Sequence, residues 1–168
     1  MIKKILSKSF IISTILVFSI FLLDRLSKIY VIFLDNKFFG SEIFSSKFLN
    51  ISLIWNEGIA FGLLSFNEKI FYNLLTFIIL VIILIIFFMA LKSYGFKKYS
   101  LLMILGGALG NIYDRIFYGA VPDFIDFHIG NFHWFIFNVA DIFITLGVIF
   151  MIIIEITGNN KNKKYEIF

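Results

Sequence analysis

Over most of this chain apolar and polar residues do not alternate at a helix or strand period; the apolar ones fall in long blocks. Four such blocks, at residues 9–30, 70–91, 99–118 and 135–156, each approach the ~20 residues that carry a helix across ~30 Å of hydrocarbon. The second is almost purely apolar, while the third is broken by Gly106, Gly107, Gly110, Asn111, Asp114 and Arg115. Residues 35–68 are polar, and within them Leu49, Ile51, Leu53 and Trp55 recur at period two ahead of Gly58 and Gly62. That alternation predicts a short antiparallel ribbon lying at a membrane surface. The stretch GAVPDFIDFHIGNFHW is read as a short connection into the fourth block. The pattern predicts an all-α integral membrane protein. It is one polytopic domain over residues 1–168, a four-transmembrane-helix bundle with a small β-rich extracytoplasmic cradle or flap between spans one and two.

Composition sharpens this. Hydrophobic residues make up 60% of the chain, charged residues 15%, and the mean hydropathy is +0.96, whereas a soluble domain is about a quarter charged and about half apolar. The absence of cysteine excludes disulfides and thiolate chemistry. His128 and His133 lie near each other with no acidic or histidine cluster at metal-ligand spacing in the sequence, which argues against zinc. The net charge of +4 does not point to nucleic acid, because the lysines sit at the ends of the apolar blocks. Lys3, Lys4 and Lys8 precede span one, Lys92, Lys97 and Lys98 separate spans two and three, and Lys161, Lys163 and Lys164 follow span four. The positive-inside rule puts all three groups, and so both termini, in the cytoplasm. Residues 35–68 and the region of Asp123 then face outward, with Trp55 and Trp134 at the outer interface. The basic, apolar N-terminus looks like a signal peptide but lacks a small-x-small cleavage site, so it is expected to be retained as span one.

Ionisable residues inside a bilayer cost roughly 2.5–3.5 kcal/mol each on insertion scales and therefore mark candidate sites. Here they gather at the outer ends of the spans: Asp24 and Arg25 on span one, Asn111, Asp114 and Arg115 on span three, Asn138 and Asp141 on span four, with Asp123 just before it. Asn111 shares a helix face with Asp114 and Arg115, and Asn138 shares one with Asp141. Gly106, Gly107 and Gly110 would let neighbouring helices approach closely.

Local neutralisation of Asp24 by Arg25 and of Asp114 by Arg115 is one reading of these groups, but Asp123 and Asp141 have no basic neighbour in sequence. Two carboxylates held close cannot both ionise; one can activate water while the protonated one polarises a peptide carbonyl. Asp126 is a lower-ranked alternative to Asp123, read as a loop-structuring or solvated carboxylate. A Ser27–Lys28 dyad is disfavoured because adjacent helix positions diverge. A proton or ion conductor would need polar residues through the full membrane depth, and span two has almost none. A lipid-headgroup transferase would need a metal-binding aspartate pattern that the sequence lacks. A scaffold subunit using the polar residues as interhelical ties predicts the same residues in the same places.

Five segments resemble the bacterial lipoprotein signal peptidases (signal peptidase II): DRLSK at 24–28, NEGIAFG at 56–62, GGALGNIYDR at 106–115, VPDFIDF at 121–127 and FNVADIFITLG at 137–147. Pro122 stands inside the aspartate motif as a variant, and residues 35–50 match no motif. The resemblance implies an aspartyl endopeptidase of the bacterial cytoplasmic (inner) membrane, working towards its outer face. It would cut diacylglyceryl-modified prolipoproteins on the amino side of the lipidated cysteine. Asp123 and Asp141 would be catalytic; Asn56, Asn111, Arg115 and Asn138 would orient substrate or hold the pair; and Asp24 and Asp114 would support them. Asn56 with the glycines around it, Gly58 included, would form an outward flap. The implied partners are the lipidated substrates and membrane lipids; no cofactor or metal is implied, and a monomer is expected.

Overall fold

The computed structural model describes residues 8–58 and 69–165. Gly62 of the proposed flap and the N-terminal Lys3 and Lys4 lie outside the described residues. The element order is α1 (Lys8–Lys37), β1 (Phe44–Ser45), β2 (Leu49–Asn56), α2 (Lys69–Lys92), α3 (Gly95–Phe117), β3 (Val121–Ile129), β4 (Phe132–Phe137) and α4 (Val139–Tyr165). Three helical segments, Lys8–Lys37, Tyr72–Lys92 and Val139–Thr157, are long and apolar enough to cross a membrane. Their outer faces carry exposed side chains such as Phe18, Leu84, Phe88 and Ile152, as a lipid-facing surface requires.

The fourth helix, α3, packs against the other three and is the central element. Its glycines explain how. A Cβ on Gly106 would stand 2.9 Å from Ile20 Cβ of α1, and one on Gly107 would stand 2.5 Å from the Ala140 carbonyl of α4. Gly147 makes the reciprocal contact, where a Cβ would lie 2.7 Å from the Ser100 carbonyl. With so little side-chain volume between them, the helix backbones come close enough for polar groups on α1, α3 and α4 to meet. Towards α2 the contact is ordinary apolar packing around Ile83, Ala90, Leu101, Leu102, Leu105 and Ile112.

The four strands form one antiparallel sheet in the order β1-β2-β3-β4. The ribbon expected between spans one and two is therefore only half of it. The connection between α3 and α4, read from the sequence as a short segment, is a β-hairpin that supplies the other half. Its signals are the alternating run from Val121 and the two-residue turn at Gly130–Asn131, where Gly130 adopts φ 59, a conformation suited to tight hairpins. Strand pairing also claims residues up to Phe137, so α4 begins at Val139, later than the 135 expected from hydropathy. The register sets Ile54 opposite Asp123 and Asn56 opposite Val121, with an irregularity between Ile51 and Ile54.

Candidate active site

The site begins with a helix cap. Asn138 precedes α4, and its Oδ1 accepts from the Asp141 backbone N–H at 3.1 Å, while Asp141 Oδ2 accepts from the Asn138 N–H at 3.1 Å. This reciprocal capping box locks the Asp141 carboxylate at the first turn of α4. A further free N–H of that turn, on Ala140, donates to Asp24 Oδ1 at 3.0 Å. The sequence Asn-Val-Ala-Asp thus satisfies its own helix end and aims a carboxylate at the same time.

Asn138 also reaches the second carboxylate. Its Nδ2 donates to Asp123 Oδ1 at 2.6 Å, and Asn56 Nδ2 donates to Asp123 Oδ2 at 2.8 Å. Asp141 Oδ1 accepts from Asn111 Nδ2 at 2.8 Å. Asp123 on β3 and Asp141 on α4 are therefore joined through one asparagine, and every carboxylate oxygen of the two has an amide donor. Asp123 is 4% exposed. Burial pushes its carboxyl up to about 6; the Asn56 hydrogen bond opposes this, the Asp141 charge raises it further, and the Asn138 hydrogen bond again lowers it.

Beneath the pair lies an ionic layer. Lys28 Nζ donates to Asp24 Oδ2 at 2.9 Å, Asp114 Oδ2 at 2.7 Å and Asn111 Oδ1 at 2.9 Å. Arg25 lies 2.6 Å from Asp114 Oδ1 as an ion pair without hydrogen-bond geometry, and its guanidinium stands 4.8 Å from the Tyr113 ring centroid. Asp24, Lys28 and Asp114 have no exposed surface. The ammonium's three protons match three acceptors on two helices, so Lys28 ties α1 to α3 and fixes Asn111, which in turn holds Asp141. Arg115 Nη2 donates to the Gly58 carbonyl at 2.8 Å, and Gly58 N–H donates to Asn56 Oδ1 at 2.9 Å. Its buried Nη1 has no partner among the described residues.

All the residues singled out from the sequence, Asp24, Asn56, Gly58, Asn111, Asp114, Arg115, Asp123, Asn138 and Asp141, meet in this one network. Two of the local pairings differ from expectation. Lys28 takes the closer place beside Asp24, whose Oδ2 stands 3.6 Å from Arg25 Nη2, and Asp114 is bound from α1 by Lys28 and Arg25. Lys28 is legible in principle, since it lies four residues after Asp24 and shares its helix face. Asp126 is held on its own by His133, whose Nδ1 is 2.8 Å from Asp126 Oδ2, and odd and even positions of β3 point it and Asp123 to opposite faces. An apolar groove of ≈ 580 Å³ runs between the sheet and α4, lined by Phe127, Trp134, Phe137, Ile142 and Leu146, with Asp141 in its wall. A larger one, ≈ 820 Å³ beside α1, α2 and α3, has Lys98 as the one charged residue in its lining among the described residues.

Fold and site together define a transmembrane helical protein that buries a pair of amide-held carboxylates under a small sheet, beside an apolar groove. The sequence model of the family described as Signal peptidase (SPase) II matches residues 16–157. A lipoprotein signal peptidase of Pelagibacter ubique (strain HTCC1062) is 48% identical over 159 residues, 95% of this chain and 96% of its own. One from Francisella tularensis subsp. novicida (strain U112) is 39% identical over 141 residues, 80% and 87% of the two chains. A bacterial membrane enzyme structure determined by the in meso method at 2.3 Å resolution superposes with a TM-score of 0.68 at 33% identity, over 90% of each chain. The chain belongs to the signal peptidase II family, and is a membrane peptidase.

Proposed function

We propose that this protein is an aspartyl endopeptidase of the bacterial cytoplasmic membrane that removes signal peptides from diacylglyceryl-modified prolipoproteins, cutting on the amino side of the lipidated cysteine. One observation carries the reading: Asp123 and Asp141, from separate elements, are joined through Asn138, with Asp141 in the wall of an apolar groove. The pair shares a proton, which the elevated Asp123 retains more readily than an ordinary carboxylate. The ionised member takes a proton from water, the water oxygen attacks the scissile carbonyl, and the protonated member donates to the carbonyl oxygen. Collapse of the tetrahedral species returns a proton to the leaving nitrogen and breaks the C–N bond. The Arg115 guanidinium, whose Nη1 has no hydrogen-bond partner among the described residues, and the strand edge near Asn56 and Gly58 orient the substrate backbone.

The groove between the sheet and α4 receives acyl chains, so that the lipidated cysteine delivers its peptide bond at the depth of Asp141. In this reading α3 is the fourth span, its lower apolar content being the consequence of carrying Asn111, Asp114 and Arg115. Both termini are cytoplasmic, the sheet lies on the outer face, and residues 1–168 act as one monomeric domain without a cofactor.

The test is cleavage of a diacylglyceryl-modified prolipoprotein by purified protein in lipid, read by gel shift. Wild type should cleave, and Asp123→Asn and Asp141→Asn should not, although both remain folded. Asp126→Asn should still cleave. Full activity in Asp141→Asn would end the paired-carboxylate mechanism, and a dead Asp126→Asn beside a live Asp123→Asn would mean that the other acid is the catalytic one.

A further inference from the structure

The outer end of the β3–β4 hairpin carries a second cluster of chemically able side chains, separate from the carboxylate pair. His128 and His133 are directly opposed in the register, and their rings stack at 5.0 Å between centroids. Asp126 lies two residues before His128, on the same face of β3, and one ligand atom from each of the three residues falls within 4.8 Å of the others. The sequence gives no hint of this as spacing. It arises because the two-residue turn folds residue 133 back onto residue 128, and the strand period brings Asp126 alongside.

The cluster is also incompletely satisfied. Asp126 is 6% exposed, and its Oδ1 has no hydrogen-bond partner among the described residues; the His128 Nδ1, itself a buried atom, has none either. Only Asp126 Oδ2 is engaged, by His133 Nδ1 at 2.8 Å. Buried polar atoms are nearly always paired, and two orphans in one cluster with a third ligand beside them call for a shared partner. An anion would be repelled by the carboxylate. Two imidazoles and one carboxylate are the donor set of zinc and its late first-row neighbours, whereas magnesium and calcium prefer oxygen throughout.

We propose that Asp126, His128 and His133 form a binding site for a divalent transition-metal cation, zinc foremost, which clips β3 to β4. Ligand bonds of ~2.0–2.2 Å require these side chains to close somewhat from their present separation. His133, whose side chain is 52% exposed, is free to swing inward. With three protein ligands the fourth position faces solvent. The clip lies three residues along β3 from Asp123, and His128 lines the groove beside α4, so the bound cation stiffens the roof of that groove. The site takes no part in peptide cleavage, and the proposal does not depend on the peptidase reading.

The experiment uses full-length protein carrying a tag without histidines, stripped with chelator and titrated with zinc by calorimetry in detergent. Saturable one-to-one binding and a higher melting temperature with zinc are expected, with neither effect from magnesium or calcium. His133→Ala and His128→Ala should each weaken binding roughly tenfold or more and abolish the thermal shift. The exposed position of His133 keeps that variant folded, which a cooperative melt in chelator verifies, lowered only by the loss of its bond to Asp126; it decides the matter should His128→Ala misfold. No saturable zinc binding by wild type, or equal binding by wild type and folded His133→Ala, would overturn the proposal, the latter placing zinc elsewhere on the protein.

Discussion

Replacing Asp123 with Asn should abolish cleavage and, at neutral to basic pH, make the protein more stable. Burial holds the Asp123 carboxyl at about 6 against an ordinary value of 3.8. A carboxyl whose folded value is raised binds its proton more tightly when folded, so the wild type loses stability as pH rises from below 3.8 through about 6 and then levels off. A rise of that size corresponds to about 3 kcal/mol at pH 8, and less than about 1 kcal/mol of it has been lost by pH 4. The asparagine variant would escape this loss, but its amide must set an NH₂ against the donor of Asn138 or Asn56, which costs about 1 kcal/mol. The net expectation is a gain of about 2 kcal/mol at pH 8, equivalent to roughly 4–8 °C for a domain of this size, and no gain at pH 4. The chain has no cysteine for a thiol-reactive dye, so melting is best followed by the fluorescence of Trp55 and Trp134 in detergent at the two pH values. A variant that melts below wild type by the same margin at both would refute the idea that Asp123 is held in a desolvated, partly protonated state.

Other outcomes follow from the same geometry. Lys28→Met leaves the buried carboxylates of Asp24 and Asp114 with Arg25 as their one cationic partner among the described residues and should cost about 3–5 kcal/mol, seen as a lower melting temperature that Asp24→Asn partly restores; an equally stable Lys28→Met would show that the ionic layer does not hold α1 to α3. Gly107→Ala pushes a methyl to 2.5 Å from the Ala140 carbonyl, and parting the helices should cost about 1–3 kcal/mol and slow cleavage by displacing Asp141. Unchanged melting and unchanged rate would remove α3–α4 approach as a determinant of the site. Cleavage should survive a strong chelator, since the oxygens of Asp123 and Asp141 are engaged by amide donors. Activity lost to chelator and restored by metal in the His133→Ala variant, which lacks the hairpin cluster, would replace the paired-acid mechanism with a metal one.

The membrane-bound helical character and most of the residues that converge are legible in the chain alone. Long apolar blocks have one physical solution, because a backbone in hydrocarbon must satisfy its own hydrogen bonds, and a polar group retained in such a block stands out against its surroundings. That is why Asp24, Asn111, Asp114, Arg115 and Asp141 are legible one at a time. Asp123, Asn56 and Asn138 are legible through their motifs and their place beside the spans. Which of them meet is settled by packing. The role of Lys28 is hidden because its partners Asp114 and Asn111 lie on another helix, and the spacing of Asp24 and Lys28 shows only that they share a face. The β3–β4 hairpin is masked because its aromatic and apolar residues continue into α4 with no break in hydropathy. The Asp126–His128–His133 cluster depends on strand register, which no local spacing encodes. Composition is a property of single segments and survives in the sequence. Pairing is fixed by glycine-permitted helix approach and by sheet register, and these exist only once the segments are packed together.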